Sequence, residues 1–222
     1  MGKSIIVTGA TGTAGSSVIW QAIADKDIDK VTALVRRPLA INHPKLEVLI
    51  QKDFNDYSNL TELFKKTDAC IWCLGISQSL VSKEEYIKLT YDYTIAAAEA
   101  MLRANPNITF AFLSGMGADS KEKSSTLFAW VKGKTENALQ RMSFSKLYIA
   151  RPGGIVPSHP RDNYHTKEKI AIVVVKLMAR LLPKMVITSD QLAKAMLVMV
   201  KSGSDKVINE NKDLHKLLDK AV

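Results

Sequence analysis

Residues Ile5-Ile-Val-Thr-Gly9-Ala-Thr-Gly12-Thr-Ala-Gly15 place three glycines at three-residue intervals between an apolar run and a segment of helical period. A strand that turns tightly into a helix on glycines is the opening unit of a parallel βαβ fold. Each glycine has its own physical task. Gly9 permits the tight turn, Gly12 lets the backbone approach a pyrophosphate, and Gly15 lets helix and strand pack closely. Free amides at the helix N-terminus then bind the anion. Thr11 and Thr13 stand in the same turn and join the glycines as candidate cofactor-binding residues. The alternative is a glycine turn in a fold that has lost its cofactor.

The rest of the chain repeats the strand-helix rhythm. Val31 to Val35, Leu46 to Ile50, Cys70 to Leu74, Ile108 to Leu113 and Leu147 to Ala150 read as further strands. Helical periodicity lies between them: Leu60, Leu63 and Phe64 in a short helix, a long one from about Lys83 to Asn105 that stops at Pro106, and one from about Ser125 to Arg141. Short, nearly continuous apolar strands separated by helices imply an α/β fold, a doubly wound parallel sheet of Rossmann type covered on both faces. One domain over residues 1–222 is expected. The stretch from about 151 to 222, with helices at Lys167 to Leu182, Ser189 to Lys201 and Asn211 to Lys220, is expected to contribute the substrate side. Ligands of such sheets bind beyond the C-terminal strand ends, so site residues should follow strands directly.

The second strand ends Leu34-Val35-Arg36-Arg37-Pro38. An NAD site expects a carboxylate there for the ribose hydroxyl. Asp25, Asp27 and Asp29 instead precede the strand, at the wrong end of the sheet. Arg36 and Arg37 suit a 2'-phosphate, with bidentate bonds worth about 1.5–3 kcal/mol each. NADP(H) is therefore expected over NAD(H); otherwise both arginines are simply solvated. After the third strand, Asp53 either accepts the adenine amino group, with Phe54 packing nearby, or serves a turn. After the fourth, Leu74 and Gly75 let backbone approach the ribose, or Gly75 only makes the turn.

Composition narrows the partners. The formal net charge of +9 admits nucleic acid, a membrane surface or an anionic small ligand. The basic residues are scattered and no nucleic-acid module is present, so no nucleic-acid partner is expected. The apolar run Ile170 to Leu182 contains Lys176 and Arg180 and is too short to span a bilayer, so no membrane partner is expected either. No signal peptide is legible, and a cytoplasmic location is expected. Cys70 and Cys73, three apart in a strand, point to opposite faces and read as small buried hydrophobes rather than a redox or metal pair. The four histidines show no metal spacing.

Thr8 to Gly15, Val35-Arg-Arg-Pro38, Leu113-Ser-Gly115, Val131-Lys-Gly133 and Arg151-Pro-Gly153 together resemble the atypical short-chain dehydrogenase/reductase family, in particular its small Tat-interacting oxidoreductase-like and epimerase-like members. The resemblance implies a site in which a tyrosine moves a proton, a lysine four residues later holds the nicotinamide ribose and lowers the tyrosine pKa, and a serine after the fifth strand binds the substrate oxygen. Lys132 looks like that lysine and Ser114 like that serine. The tyrosine position falls on Phe128; aligning on Lys134 puts Trp130 there instead, and neither carries a hydroxyl. Tyr86, Tyr91 and Tyr93 lie on the long helix, where Tyr86 and Tyr93 share a face, and a packing role is expected of them. His159, Tyr164 and His165 lie in a polar loop that either lines the substrate side or faces solvent.

Two functions follow: a reductase of an unknown carbonyl substrate with an unidentified proton donor, or a catalytically silent NADP(H)-binding regulator or partner protein. Epimerase chemistry would need a base the sequence does not offer. Substrate, protein partners and oligomeric state stay open.

Overall fold

A computed structural model describes residues 2–159 and 166–219, so the candidates Tyr164 and His165 lie outside the described residues. The chain runs β1 (Lys3–Thr8), α1 (Thr13–Ala24), β2 (Ile28–Val35), β3 (Leu46–Ile50), α2 (Thr61–Lys65), β4 (Ala69–Trp72), α3 (Lys83–Ile87), α4 (Tyr93–Ala104), β5 (Thr109–Leu113), α5 (Leu127–Arg141), β6 (Lys146–Arg151), β7 (Gly154–Val156), α6 (Thr166–Leu181), β8 (Val186–Thr188), α7 (Ser189–Ser202), β9 (Ile208–Glu210) and α8 (Asn211–Asp219). Seven strands form one sheet in the order β3-β2-β1-β4-β5-β6-β9, and every pairing in it is parallel. This is the doubly wound Rossmann architecture. The order reverses at β1, so the switch-point crevice opens where β1 ends, directly at the glycine turn.

Alternation along the strands builds two cores. Ile5 and Val7 face Val18, Ile19 and Ala22 of α1 and Leu192 and Met196 of α7. Ile6 faces the other side, with Trp72, Phe110, Phe112, Phe64 of α2 and Met101 of α4. The cysteines divide as the strand period requires: Cys70 is buried in the second core, and Cys73 packs against the first. Both thiols are free.

Three differences from the sequence reading have physical causes. The long helix is interrupted by a π turn at Lys88–Asp92, where the Thr94 hydroxyl donates to the Thr90 carbonyl at 2.7 Å. Hydroxyls that bond back to the preceding turn compete with the helical ladder. The helix ends at Ala104, with Asn105 extended ahead of Pro106 as a residue before proline must be. β7, β8 and β9 are three residues each, too short to show a period; β7 pairs with β8 in a small separate sheet.

The third difference concerns the C-terminal stretch, which divides in two. α7 is buried along most of its length and packs on α1, where Ser17 Oγ donates to Ser189 Oγ at 2.9 Å. With β9 and α8 it belongs to the body of the domain. Among the described residues, β7, α6 and β8 remain as an elaboration beside the crevice. Met196, fully buried under the sheet, tests this assignment. Met196→Ala should lower stability by about 2–4 kcal/mol in urea titrations; a loss below about 0.5 kcal/mol would place α7 outside the core.

Candidate functional site

The crevice begins with backbone. The Thr8 hydroxyl, buried at the end of β1, accepts the amides of Cys73 and Leu74 at 3.1 Å each and so holds the ends of β1 and β4 together. Gly9 follows at φ +66°, a left-handed conformation that glycine adopts without strain. Any side chain there would also run into the Cys73 carbonyl. A Cβ at Gly15 would overlap the Gly9 carbonyl, so α1 leaves the turn in direct contact with it. Gly12 donates to the Gly9 carbonyl at 2.8 Å and stands at the N-cap of α1. No side chain caps this helix, and its first turn carries no carboxylate. Thr13 begins the helix and Thr11 is exposed in the turn. A glycine-rich turn ending at a helix N-terminus with no cap from its N-cap residue has the shape and charge that a dinucleotide pyrophosphate needs.

Arg36 and Arg37 come directly after the last residue of β2, at the same edge of the sheet. Both are exposed, and neither makes an ion pair or side-chain hydrogen bond among the described residues. Asp25 and Asp27 sit at the opposite edge and are held by Lys201 at 2.6 and 2.8 Å. Asp29 accepts the Gly2 amide at 2.7 Å. Asp53 is a turn residue whose Oδ1 accepts the amide and side-chain nitrogen of Asn55 at 2.9 and 3.0 Å. Phe54 is not available to a nucleobase. Its ring is buried, stacks on Tyr93 with centroids 5.7 Å apart, and meets Trp72 and Tyr57 edge-on. The aromatic run of the second core claims it. Leu74 presents backbone beside the turn, and Gly75 is exposed with open space around it.

Beyond β5, the two residues of the expected catalytic set take different roles. Lys132 is buried, donates to the Leu113 carbonyl at 2.8 Å and lies 4.6 Å over the Phe112 ring. Burial lowers its pKa to about 8, with Glu136 and Cys73 pulling the other way. Ser114 donates its hydroxyl proton to Glu136. A serine has one O–H, so in this arrangement none is left for a substrate oxygen.

Glu136 itself was not apparent in the sequence. It lies one helical turn beyond Lys132, wholly buried, and receives Arg151 through Nε at 3.0 and 3.1 Å and through Nη2. Arg151 continues to Glu210 at 3.0 Å and Ser120 at 2.8 Å. One guanidinium thus joins α5, β6, β9 and the loop after β5. The only prior signal was the i, i+4 spacing from Lys132 and the arginine of the Arg-Pro-Gly piece. The glycines of Val131-Lys-Gly133 and Arg151-Pro-Gly153 also gain a physical reason: a Cβ at Gly133 would strike the Asp119 carbonyl, and one at Gly153 the Met185 carbonyl.

Phe128 is held at the start of α5, where its amide donates to Gln78 Oε1 at 2.8 Å. A Cβ at Gly115 would lie 2.7 Å from Phe128 Cζ but 3.4 and 3.7 Å from its two Cε atoms. The ring therefore aims its para carbon at the place a side chain at Gly115 would occupy. The helix tyrosines supply no substitute. Tyr86 is buried, Tyr93 stacks on Phe54, and Tyr91 lies under Lys134 Nζ at 4.5 Å. The π turn between Tyr86 and Tyr93 breaks the α-helical phase on which their shared face depended. His159 pairs with Asp190 at 3.2 Å on the exposed surface. Among the described residues no cluster of three metal-ligating side chains occurs.

The sequence profile of a family described as NAD(P)H-binding matches residues 9–201. Among curated proteins, the chain is 30% identical over 156 residues to Protein HTATIP2 of Rattus norvegicus, covering 68% of this chain and 62% of that one. It is 31% identical over 157 residues to the Leucinostatins biosynthesis cluster protein T of Purpureocillium lilacinum, covering 68% and 57%. It is 29% identical over 149 residues to Protein FMP52, mitochondrial, of Meyerozyma guilliermondii, covering 67% and 63%. The match thus spans less than two thirds of each of these relatives. Among solved structures, a thiolation-reductase di-domain from an archaeal non-ribosomal peptide synthetase superposes with TM-score 0.72 at 15% identity, covering 94% of this chain and 70% of that one. UDP-N-acetylglucosamine 4-epimerase from Methanobrevibacter ruminantium M1 superposes with TM-score 0.70 at 19% identity, covering 93% and 75%. At those identities they share the fold.

The contact between Phe128 and Gly115 generates a test. Phe128→Tyr should lower stability by about 1–3 kcal/mol, the range for overpacking, in denaturant titrations of the cofactor-free protein. A variant as stable as the parent would mean that the hydroxyl finds open space.

Proposed function

The chain belongs to the NAD(P)H-binding family, and from that premise we propose that it binds NADP(H) at the β1 switch point without the family's tyrosine-driven proton transfer. The observation that carries the cofactor choice is the pair Arg36 and Arg37, exposed directly beyond β2 and without an ion pair among the described residues. Two guanidinium forks with no carboxylate between them suit a 2'-phosphate and leave a ribose hydroxyl without its usual acceptor. The turn from Gly9 to Gly15 holds the pyrophosphate, and the backbone at Leu74 and Gly75 lets the ribose approach. Lys132 holds the nicotinamide ribose, as its likeness to the family lysine implies. When bound, the nicotinamide supplies or accepts a hydride. The residues around it offer no free hydroxyl donor: Phe128 has no hydroxyl, and the Ser114 O–H is committed to a hydrogen bond with Glu136. This is a protein that senses or carries its cofactor, with a small molecule or protein partner beyond β7, α6 and β8.

Arg36→Ala together with Arg37→Ala should weaken NADPH binding at least about tenfold, or about 1.4 kcal/mol, and leave NADH binding within about twofold. Calorimetric titration reads both. Equal losses for the two cofactors would remove the 2'-phosphate assignment.

One observation favours a second reading, a carbonyl reductase that takes its proton from Lys132. A buried ammonium with a pKa of about 8 is a competent general acid near neutrality. Its depressed pKa also carries a linkage. The unfolded lysine keeps its proton to about 10.5, so the penalty is full below pH 8 and is relieved as pH rises toward 10.5. Lys132→Met should therefore stabilise the cofactor-free protein at pH 7 by about 1–3 kcal/mol while weakening NADPH. If Lys132 is the acid, NADPH oxidation with a panel of aldehydes and ketones should fall as pH rises through about 8 and vanish in the variant. NADPH oxidation undiminished in Lys132→Met would exclude this reading.

A further inference from the structure

α6 has two apolar faces, and among the described residues one is packed while the other is exposed. The packed face lies on the small sheet, where Val175 sits against Gly154 of β7. The other carries Ile170, Val173, Val174, Leu177 and Leu181, spaced i, i+3, i+4, i+7 and i+11, and it continues into Leu182. Each of these six side chains is between 51 and 69% exposed. Single exposed apolar residues are ordinary, but a contiguous stripe along one helix marks a surface that meets something.

The border of the stripe says what. Lys176 and Arg180 run along one edge a helical turn apart, and Lys184 lies just past the helix end. All three are exposed and make no ion pair among the described residues. The elements against which α6 packs, β7, β8 and residues 183–185, contain no carboxylate. The described part of the patch is apolar at its centre and cationic at its rim, and the described elements packed against α6 bring no anion to it. A second copy of the chain would bring the same cations against these. A lipid surface with anionic headgroups satisfies both parts: acyl chains receive the aliphatic side chains, and the headgroups receive the lysines and arginine.

We propose that α6 docks this protein on an anionic membrane surface, lying in the plane of the headgroups with Leu177 and Leu181 inserted. Among the described residues no helix is long and apolar enough to cross a membrane, and the 16-residue α6 lies on the bilayer rather than through it. The expectation of no membrane partner came from the demands of spanning, which docking does not share. The elaboration beside the crevice then places the cofactor site next to the lipid.

Flotation of the full chain with phosphatidylcholine vesicles, with and without phosphatidylserine, tests this. The wild type should bind phosphatidylserine-containing vesicles at least about tenfold better, and added salt should reduce that preference. Leu177→Asp with Leu181→Asp should abolish binding. Lys176→Glu with Arg180→Glu should abolish the preference. These side chains are exposed, so both variants should melt within a few degrees of the parent by circular dichroism. Absence of wild-type binding to phosphatidylserine vesicles, or undiminished binding by both variants, would overturn the proposal. So would a wild-type dimer in analytical ultracentrifugation that Leu177→Asp dissociates while vesicles capture nothing.

Discussion

The cleft side of this fold rests on one close approach of backbone to backbone. The end of β1, the end of β4 and the start of α1 meet at Gly9 with no side chain between them. Thr8 fixes the meeting by accepting two amides from the neighbouring strand. Because Gly15 lies on the Gly9 carbonyl, α1 starts at the strand end, and its N-cap glycine supplies no side-chain cap. A single Cβ at Gly9 or Gly15 would push these elements apart. Anion binding here is a property of the packing, with the helix dipole and free amides adding to it.

On the other side of the crevice a buried charge does comparable work. Arg151 and Glu136 join β6 to α5 and extend to Glu210 and Ser120, so the loop after β5, the strand after it and the last strand are tied together. Breaking a buried pair leaves an uncompensated charge, which is why such networks hold position more than they add stability. The network also decides chemistry. It engages the Ser114 hydroxyl as a hydrogen-bond donor, and its Glu136 helps keep Lys132 charged against the cost of burial. Phe128 and Gly115 complete the picture: the ring lies where a side chain at Gly115 would stand, and it carries no hydroxyl.

Most of the fold was legible because its signals are local. β-branched strands, helical periods, Pro106 and the glycine turn each act over a few residues, and the six longer strands fell where they were expected. The three-residue strands were not legible, since a period of two needs more length to show. The core role of α7 was hidden because an amphipathic helix does not say which surface it covers. At the site, the placement of Gly9, Gly15, Arg36, Arg37 and Lys132 follows from position after a strand or on α5. Phe54 and Ser114 turned away for reasons no local pattern contains: one packs with rings from β4 and α4, and the other meets a glutamate 22 residues later in the chain. Glu136 reads in sequence as an ordinary helix-surface carboxylate, and only the arrival of Arg151 makes its burial tolerable.

The account turns on whether the β1 switch point holds a nicotinamide dinucleotide and reads its 2'-phosphate. Calorimetric titration of the unmodified protein with NADPH and, separately, NADH addresses it most directly. The expected result is saturable one-to-one binding of NADPH, with NADH weaker by about tenfold or more, the value of at least one charge-assisted phosphate contact. Equal affinity for the two, or no binding of either, would contradict it.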